Sequence, residues 1–328
     1  MRKSLLLSLC LLAIFSQACK KGTTITAPEP EIPLVVPVPV PQAPTLTPAP
    51  DTWKEHWFEH NQLVKKVFAD TSIVVYFDDQ VVKTVTWPNN YLAQVWNYTK
   101  KNYGAFGTDP RLYAIFHSAK YSGGHPSTYM DAGHDLRNVI DCGSSDANAW
   151  VSGIGNDIDL TTHEVGHIVE GASKGVHSSP AFPIWHDSKW MEIYQYDVYL
   201  GLGRTDDAVR WFNKMQSTTD NYPRAGTRWF KDWFYPVYMQ YGKTKVLNNF
   251  FVMLAKHFPK RTFSNGTATY PEYSRNLNFG EFIHFWSGAA GANLKPLAVT
   301  AFGDKDEQGN DWTVQLTQAQ AAFPDIKY

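Results

Sequence analysis

The sequence predicts an α+β fold, a small mixed β-sheet with helices followed by a mostly helical C-terminal half. Three observations predict it. Short apolar runs of strand length fall before residue 145, segments of 3.6-residue period dominate after residue 157, and Gly175, Gly201 and Gly242 stand where those helices should end.

In chain order, Trp53 to Phe68 (WKEHWFEHNQLVKKVF) has helical spacing. Ile73 to Phe77 (IVVYF) and Leu112 to Phe116 (LYAIF) are apolar throughout and read as buried strands, with Asn138 to Asp141 as another. Tyr91 to Tyr103 reads as a helix between them. Ser118 to Asp135 is rich in Gly, Ser and His and is expected as an exposed loop leading to an edge strand. Helices are expected over 159–174, 188–200, 205–215, 226–241, 243–257 and 279–289. There is no internal repeat. One folded domain is expected over 51–328, with its sheet-containing half ending at about residue 175.

The chain has 328 residues, 43% hydrophobic and 19% charged, with a net charge of −1. That balance gives no electrostatic hold on nucleic acid or anionic lipid, so a nucleic-acid partner is not expected. Aromatic residues reach 15%, and most are expected in the core.

The N-terminus has the anatomy of a targeting signal over 1–18. Met1-Arg2-Lys3 is basic, Ser4 to Phe15 is apolar but too short to span a bilayer, and Ser16-Gln17-Ala18-Cys19 follows. A small residue directly before cysteine resembles the lipobox of bacterial lipoproteins, which implies lipidation of Cys19 and anchoring in the cell envelope. Cys10 lies inside the signal, so Cys142 is left as a single, structural thiol with no disulfide partner. Residues 19–50 carry proline at nine positions between Pro28 and Pro50. This excludes helix and interior strand and favours extended polyproline II, a tether of roughly 90 Å at ~3.1 Å per residue.

Chemistry concentrates in Thr161 to Gly171, TTHEVGHIVEG, which contains the HExxH pattern His163-Glu164-Val165-Gly166-His167. With 11 His and 10 Glu in the chain, random placement yields this pattern in about 1% of such sequences. On a helix, residues four apart share a face, so both imidazoles can address one Zn²⁺ while Glu164 projects beside the open coordination position. A carboxylate there serves as general base for the attacking water. A competing interpretation is a capping box, Thr161-x-x-Glu164, at a helix start.

A catalytic zinc site needs a third protein ligand. The next metzincin position is occupied by Ser173, and Glu170 lies roughly 10 Å along the helix from His163 at 1.5 Å per residue. His177, His186, Asp187 and Glu192 remain. HExxH followed by a glutamate on the next helix resembles the gluzincins, and Glu192 is the only glutamate between Glu170 and Glu272. That resemblance implies His163, His167 and Glu192 as metal ligands and Glu164 as the catalytic residue. HExGHxxQ further marks enhancin-like metallopeptidases, and a related helix occurs in plant basic secretory proteins. His163, Glu164, Gly166 and His167 match here, with Glu170 at the Gln position. The resemblance implies a zincin-like fold and a zinc metallopeptidase acting on a protein or peptide substrate, possibly glycosylated. The alternative is a non-catalytic envelope lipoprotein that binds glycan or peptide on a peptidase-like scaffold.

Tyr194, Tyr196, Tyr199, His177 and His186 are candidates for stabilising the oxyanion. His56 and His60 are four apart, but with no acid after His56 they read as the face of an amphipathic helix. Gly303 to Trp312 hints at a calcium loop, but Gln315 replaces the bidentate Glu, which favours a solvated turn.

Overall fold

The computed structural model describes residues 46–328. The expected signal, Cys19 and most of the tether lie outside the described residues. The tether's last residues are docked: Arg111 donates to the Thr47 carbonyl at 2.8 Å, Lys66 Nζ to that of Ala49 at 2.7 Å and the Tyr76 hydroxyl to that of Pro50 at 2.8 Å.

Six strands form the main sheet, β1 (Thr52–Lys54), β2 (Leu63–Ala69), β3 (Ile73–Phe77), β4 (Leu112–Ser118), β5 (Lys120–Ser127) and β6 (Asn138–Ser144), in the order β1-β2-β3-β4-β6-β5. β3, β4 and β6 run parallel, and β5 closes the sheet antiparallel to β6. The apolar runs of β3 and β4 are buried on both faces, as central parallel strands require. Alternation divides them: Ile73, Val75, Phe77, Ala114, Phe116, Ile140 and Cys142 join the helices, while Val74, Tyr76, Tyr113, Ile115 and Val139 meet Trp53, Trp57 and Val64 on the other face. Cys142 is a buried free thiol whose pKa burial pushes up, in keeping with a structural role.

Two expectations fail here. Residues 53–68 are not a helix but β1, a turn and β2. Trp53, Trp57 and Val64 are all buried at a spacing that mimics a helical stripe, yet they cover the outer face of the sheet. The stretch after Ser118 is itself the edge strand β5.

The helices are α1 (Trp87–Tyr103), α2 (Asn156–Ala172), α3 (Phe182–Trp185), α4 (Lys189–Gly201), α5 (Thr205–Ser217), α6 (Tyr235–Gln240), α7 (Thr244–His257), α8 (Phe279–Ala290), α9 (Lys295–Phe302) and α10 (Trp312–Ala322). The α+β class is as the sequence predicts. The helix expected over 226–241 is a π-helical turn, Trp229–Phe234, leading into α6. Pro236 has no N–H to give Asp232, so the Tyr235 amide reaches back five residues to Phe230. Eight of the 12 tryptophans are fully buried, so the aromatic surplus fills the core. Phe250 and Trp286 stack at 4.3 Å within it. Among the described residues no helix is long and apolar enough to cross a membrane.

A second, two-stranded sheet, β7 (Lys260–Ser264) and β8 (Thr269–Tyr273), is tied to the segment after α2 by His177. His177 donates its backbone N–H to the Pro271 carbonyl at 2.8 Å, and its ring lies between Glu272 (2.8 Å) and Asp131 (3.0 Å). The bond to Asp131 raises the His177 pKa against the opposing effect of burial, and Glu272 adds to it. For Asp131 burial is outweighed by the bond from His177, and for Glu272 by those from Arg261 and His177, so both carboxyl pKa values fall. A histidine raised on folding stabilises fully below its unfolded pKa of about 6.5 and loses that contribution as pH climbs through the folded value. His177→Gln should therefore cost about 1–2 kcal/mol between roughly pH 5 and 6.5, and clearly less by pH 9. Urea melts of both proteins across that range check this; a cost independent of pH removes the imidazolium from the explanation.

Candidate metal centre

α2 begins at Asn156, so Thr161 and Glu164 lie well inside the helix. The capping-box interpretation is thereby excluded: Thr161 Oγ1 returns to the Asp157 carbonyl at 2.9 Å, and Thr162 to that of Ile158 at 2.7 Å. His163 and His167, one turn apart, bring their Nε2 atoms to 3.1 Å. Two ligands bound to one zinc at 2.0–2.1 Å would stand about 3.3 Å apart in a tetrahedron, so this pair is set for a shared ion.

A third ligand-type group faces them. Asp187 Oδ1 lies 3.3 Å from His167 Nε2, and Oδ2 lies 3.7 Å from His163 Nε2. His163 and His167 together hold the Asp187 carboxyl well below the usual carboxylate range. The residue sits between α3 and α4, directly after His186, whose backbone has a positive φ of 52°.

Glu192, expected as the third ligand, points elsewhere. Its carboxylate accepts from Lys189 Nζ at 2.7 Å, and Lys189 also meets Asp220 at 3.0 Å. Burial pushes the Glu192 pKa up to about 7, with Lys189 opposing. The face of α4 turned to α2 carries Met191 and Tyr194, which crowd Gly166 so closely that a Cβ there would overlap them. Glu192 follows Met191 by one residue, roughly 100° round the helix, and so leaves that face.

His167 is oriented from behind. Its Nδ1 meets Glu170 Oε2 at 3.0 Å, which leaves Nε2 to face Asp187. Glu170 Oε1 is fixed in turn by Ser179 (2.7 Å) and the Trp185 indole N–H (2.5 Å). A carboxylate on the remote nitrogen of a ligand histidine sets its tautomer and raises its basicity. Glu170, at the Gln position of the motif, thus acts on the centre through His167.

Glu164 is 3% exposed, and its Oε2 has no hydrogen-bond partner. Burial raises its pKa, partly offset by His163 and His167. β5 passes directly over it: a Cβ at Gly124 would overlap the Glu164 carboxylate. The cleft at this point measures about 520 Å³ and lies between the backbone of residues 122–124 on one side and Phe182, Gln195 and Trp211 on the other.

None of the five groups expected to stabilise an oxyanion lines this cleft. Tyr194 bonds Thr99 at 2.6 Å, Tyr199 bonds Asp159 at 2.6 Å, Tyr196 packs among Phe212, Phe230 and Tyr235, and His186 meets Glu307 at 3.2 Å. His177 is held by Asp131 and Glu272. At residues 304–315, Asp306 accepts from its own loop, including Asn310 N at 2.7 Å, and from Gln315 Nε2 at 2.9 Å, which makes this a self-satisfied turn. Sequence reasoning missed Gly124, although Gly123-Gly124 inside a strand signals close approach.

No family model matches the chain, and no curated protein does. Among solved structures it is similar to Legionella pneumophila aminopeptidase A in complex with aspartic acid (TM-score 0.45, 12% identity, covering 70% of this chain and 26% of that one). It is also similar to an M1 zinc metallopeptidase from Deinococcus radiodurans (TM-score 0.43, 11% identity, 77% and 51%). The chain thus spans about a quarter of the first and half of the second. Likenesses this distant fix neither substrate nor reaction, and the resemblance to enhancin-like metallopeptidases gains no support from them.

Two outcomes follow from this geometry. Asp187→Ala should lose zinc on dialysis, whereas Glu192→Ala should retain it but lose about 3 kcal/mol of stability by leaving Lys189 buried without its nearest partner. Metal content and denaturant midpoints of the two variants decide between them, and the reverse pattern restores Glu192 as ligand. Gly124→Ala should fold but lose about 1–3 kcal/mol of stability, because its Cβ must displace the Glu164 carboxylate. An unchanged denaturant midpoint would show that the close approach is not needed.

Proposed function

We propose that the protein is a zinc-dependent peptidase. The observation that carries this is the convergence of His163, His167 and Asp187 beside a buried, unpartnered Glu164 in an open cleft. Two imidazoles and a carboxylate are a recognised catalytic zinc set, and the set is that of a zincin with aspartate in the third place. Zinc held there would supply Lewis acidity, polarising a carbonyl and bringing water to a pKa of ~7. Glu164 takes the proton from the attacking water and returns it to the leaving amine. Glu170 keeps His167 in the tautomer the centre needs.

The cleft suits an extended peptide. β5 is the last strand of the sheet and pairs with β6 alone among the described strands, so its outer backbone groups can pair with a substrate strand. Gly123 and Gly124 present bare backbone beside Glu164. The N-terminal signal, Cys19 and the proline-rich tether support a lipid-anchored enzyme at the cell envelope, acting on a protein or glycoprotein outside the cytoplasm. A purely binding role is less well served, because the aromatic residues it would use are mostly in the core.

Glu164→Gln should retain metal and lower kcat on a broad peptide library by about 10²–10⁴-fold. Turnover equal to the parent would falsify the assignment, and a parent protein that binds no zinc at His163 and His167 would remove its basis.

A further inference from the structure

A second group of ligand-type side chains lies on the face of the main sheet turned away from α2. β6 alternates, so Cys142 faces α2 and Asp141 the opposite side. His117 of β4 shares Asp141's face, and the segment that covers it contributes Glu55 and His60. All four are at most 2% exposed.

Their donor atoms converge. His117 Nε2 is 2.7 Å from Glu55 Oε1 and 3.1 Å from Asp141 Oδ1. His60 Nδ1 is hydrogen-bonded to Asp141 Oδ2 at 2.9 Å and lies 3.9 Å from Glu55 Oε1. These distances bracket the edge of about 3.3 Å expected of a zinc tetrahedron. Short as they are, the contacts at His117 Nε2 are not aligned as hydrogen bonds. That nitrogen, Glu55 Oε1 and Asp141 Oδ1 are all fully buried without a partner, although a proton on His117 could serve only one of the two oxygens.

Most of the atoms that face outward from this centre are satisfied, and His60 Nε2 alone among them is buried without a partner. His117 Nδ1 meets Asp78 Oδ2 at 3.1 Å, Glu55 Oε2 accepts from the Gln62 amide at 2.8 Å, and Asp141 Oδ2 accepts from the Trp57 indole at 2.8 Å. Carboxylate behind histidine and amide behind carboxylate form the outer support expected of a metal site. Three carboxylates are buried here against two histidines, with Lys120 3.6 Å from Asp78. A divalent cation resolves that excess of negative charge.

We propose that Glu55, His60, His117 and Asp141 form a second, structural zinc site. With four protein ligands and no exposed position it is closed, which suits fixing structure and not turning over substrate. It fastens the 55–62 segment to β4 and β6, directly behind β5. His125 of β5 is registered opposite Asp141, and Gly124 beside it overlies Glu164, so the site braces the cleft wall from the rear.

The test starts from a His163→Ala/His167→Ala variant of the protein, dialysed against metal-free buffer with zinc content measured by mass spectrometry. It should retain one tightly held equivalent, and stripping it with a strong chelator should lower Tm by about 5–10 °C. Adding Asp141→Asn or His60→Ala to that background should remove both the equivalent and the chelator-dependent shift. A double variant that holds no zinc, or whose Tm ignores the chelator, overturns the proposal and leaves the carboxylates compensated by imidazolium rings. Retention of zinc after Asp141→Asn overturns it too. If the unmodified protein holds a single equivalent that survives loss of His163 and His167 but not of Asp141, this site stands and the peptidase reading falls.

Discussion

The close passage of β5 over α2 is the constraint on which the rest of the structure depends. Gly124 has no side chain, and the space a Cβ would need is filled by the Glu164 carboxylate. The register of β5 against β6 places Gly124 on the same face as Cys142, the face on which α2 packs. Glu164 is therefore enclosed on the strand side, and His163 and His167 are directed towards the opening where Asp187 stands. Were β5 shifted by one residue, His125 would enter the cleft and the acid would lose its place.

The other wall depends on the same economy of volume. Gly166 lets Met191 and Tyr194 approach α2, which brings α4 close enough for Gln195 to line the cleft. α4 is fixed in turn by Asp197, a buried carboxylate that accepts from Tyr98, Tyr103, Tyr238 and Thr244 at 2.5–3.3 Å and so joins α4 to α1, α6 and α7. Asp159, in the first turn of α2, accepts two bonds from Arg210 and one from Tyr199, tying α2 to α4 and α5. The helical half thus holds α2 at several points, and its aromatic core packs around them.

What the sequence disclosed was what has a short period. The HExxH helix, the central strands and most later helices carry their pattern within one or two turns, and their bounds agree to within a few residues. Asp187 was legible only as one of four candidates, because counting residues cannot show that the link between α3 and α4 sets its carboxylate against His163 and His167. Glu192 was favoured by its type and its helix, and what diverts it is Lys189, three residues earlier, together with Asp220 across the fold. Residues 53–68 misled because Trp53 and Trp57 are buried four apart by tertiary covering and not by a helix. His60 reads as surface for the same reason, when its partners His117 and Asp141 come from β4 and β6, far along the chain.

The distribution of unsatisfied carboxylates adds a further distinction. Buried acids that only hold the fold together, such as Asp159, Asp197 and Glu281, have both oxygens bonded to donors. Among the described residues, buried carboxylate oxygens without a hydrogen bond occur in Glu55, Asp141, Glu164 and Asp220. That of Asp220 faces the Lys189 ammonium at 3.0 Å and is compensated by charge. The remaining three belong to two places, one on each face of the sheet, and each lies among imidazole nitrogens. Burying such an oxygen unpaired costs stability, so a fold that satisfies its other acids this fully would not leave these three bare without a ligand or a reaction to meet. On the proposed reading, Glu164 meets that need with a proton in transit, and Glu55 and Asp141 with a cation that stays.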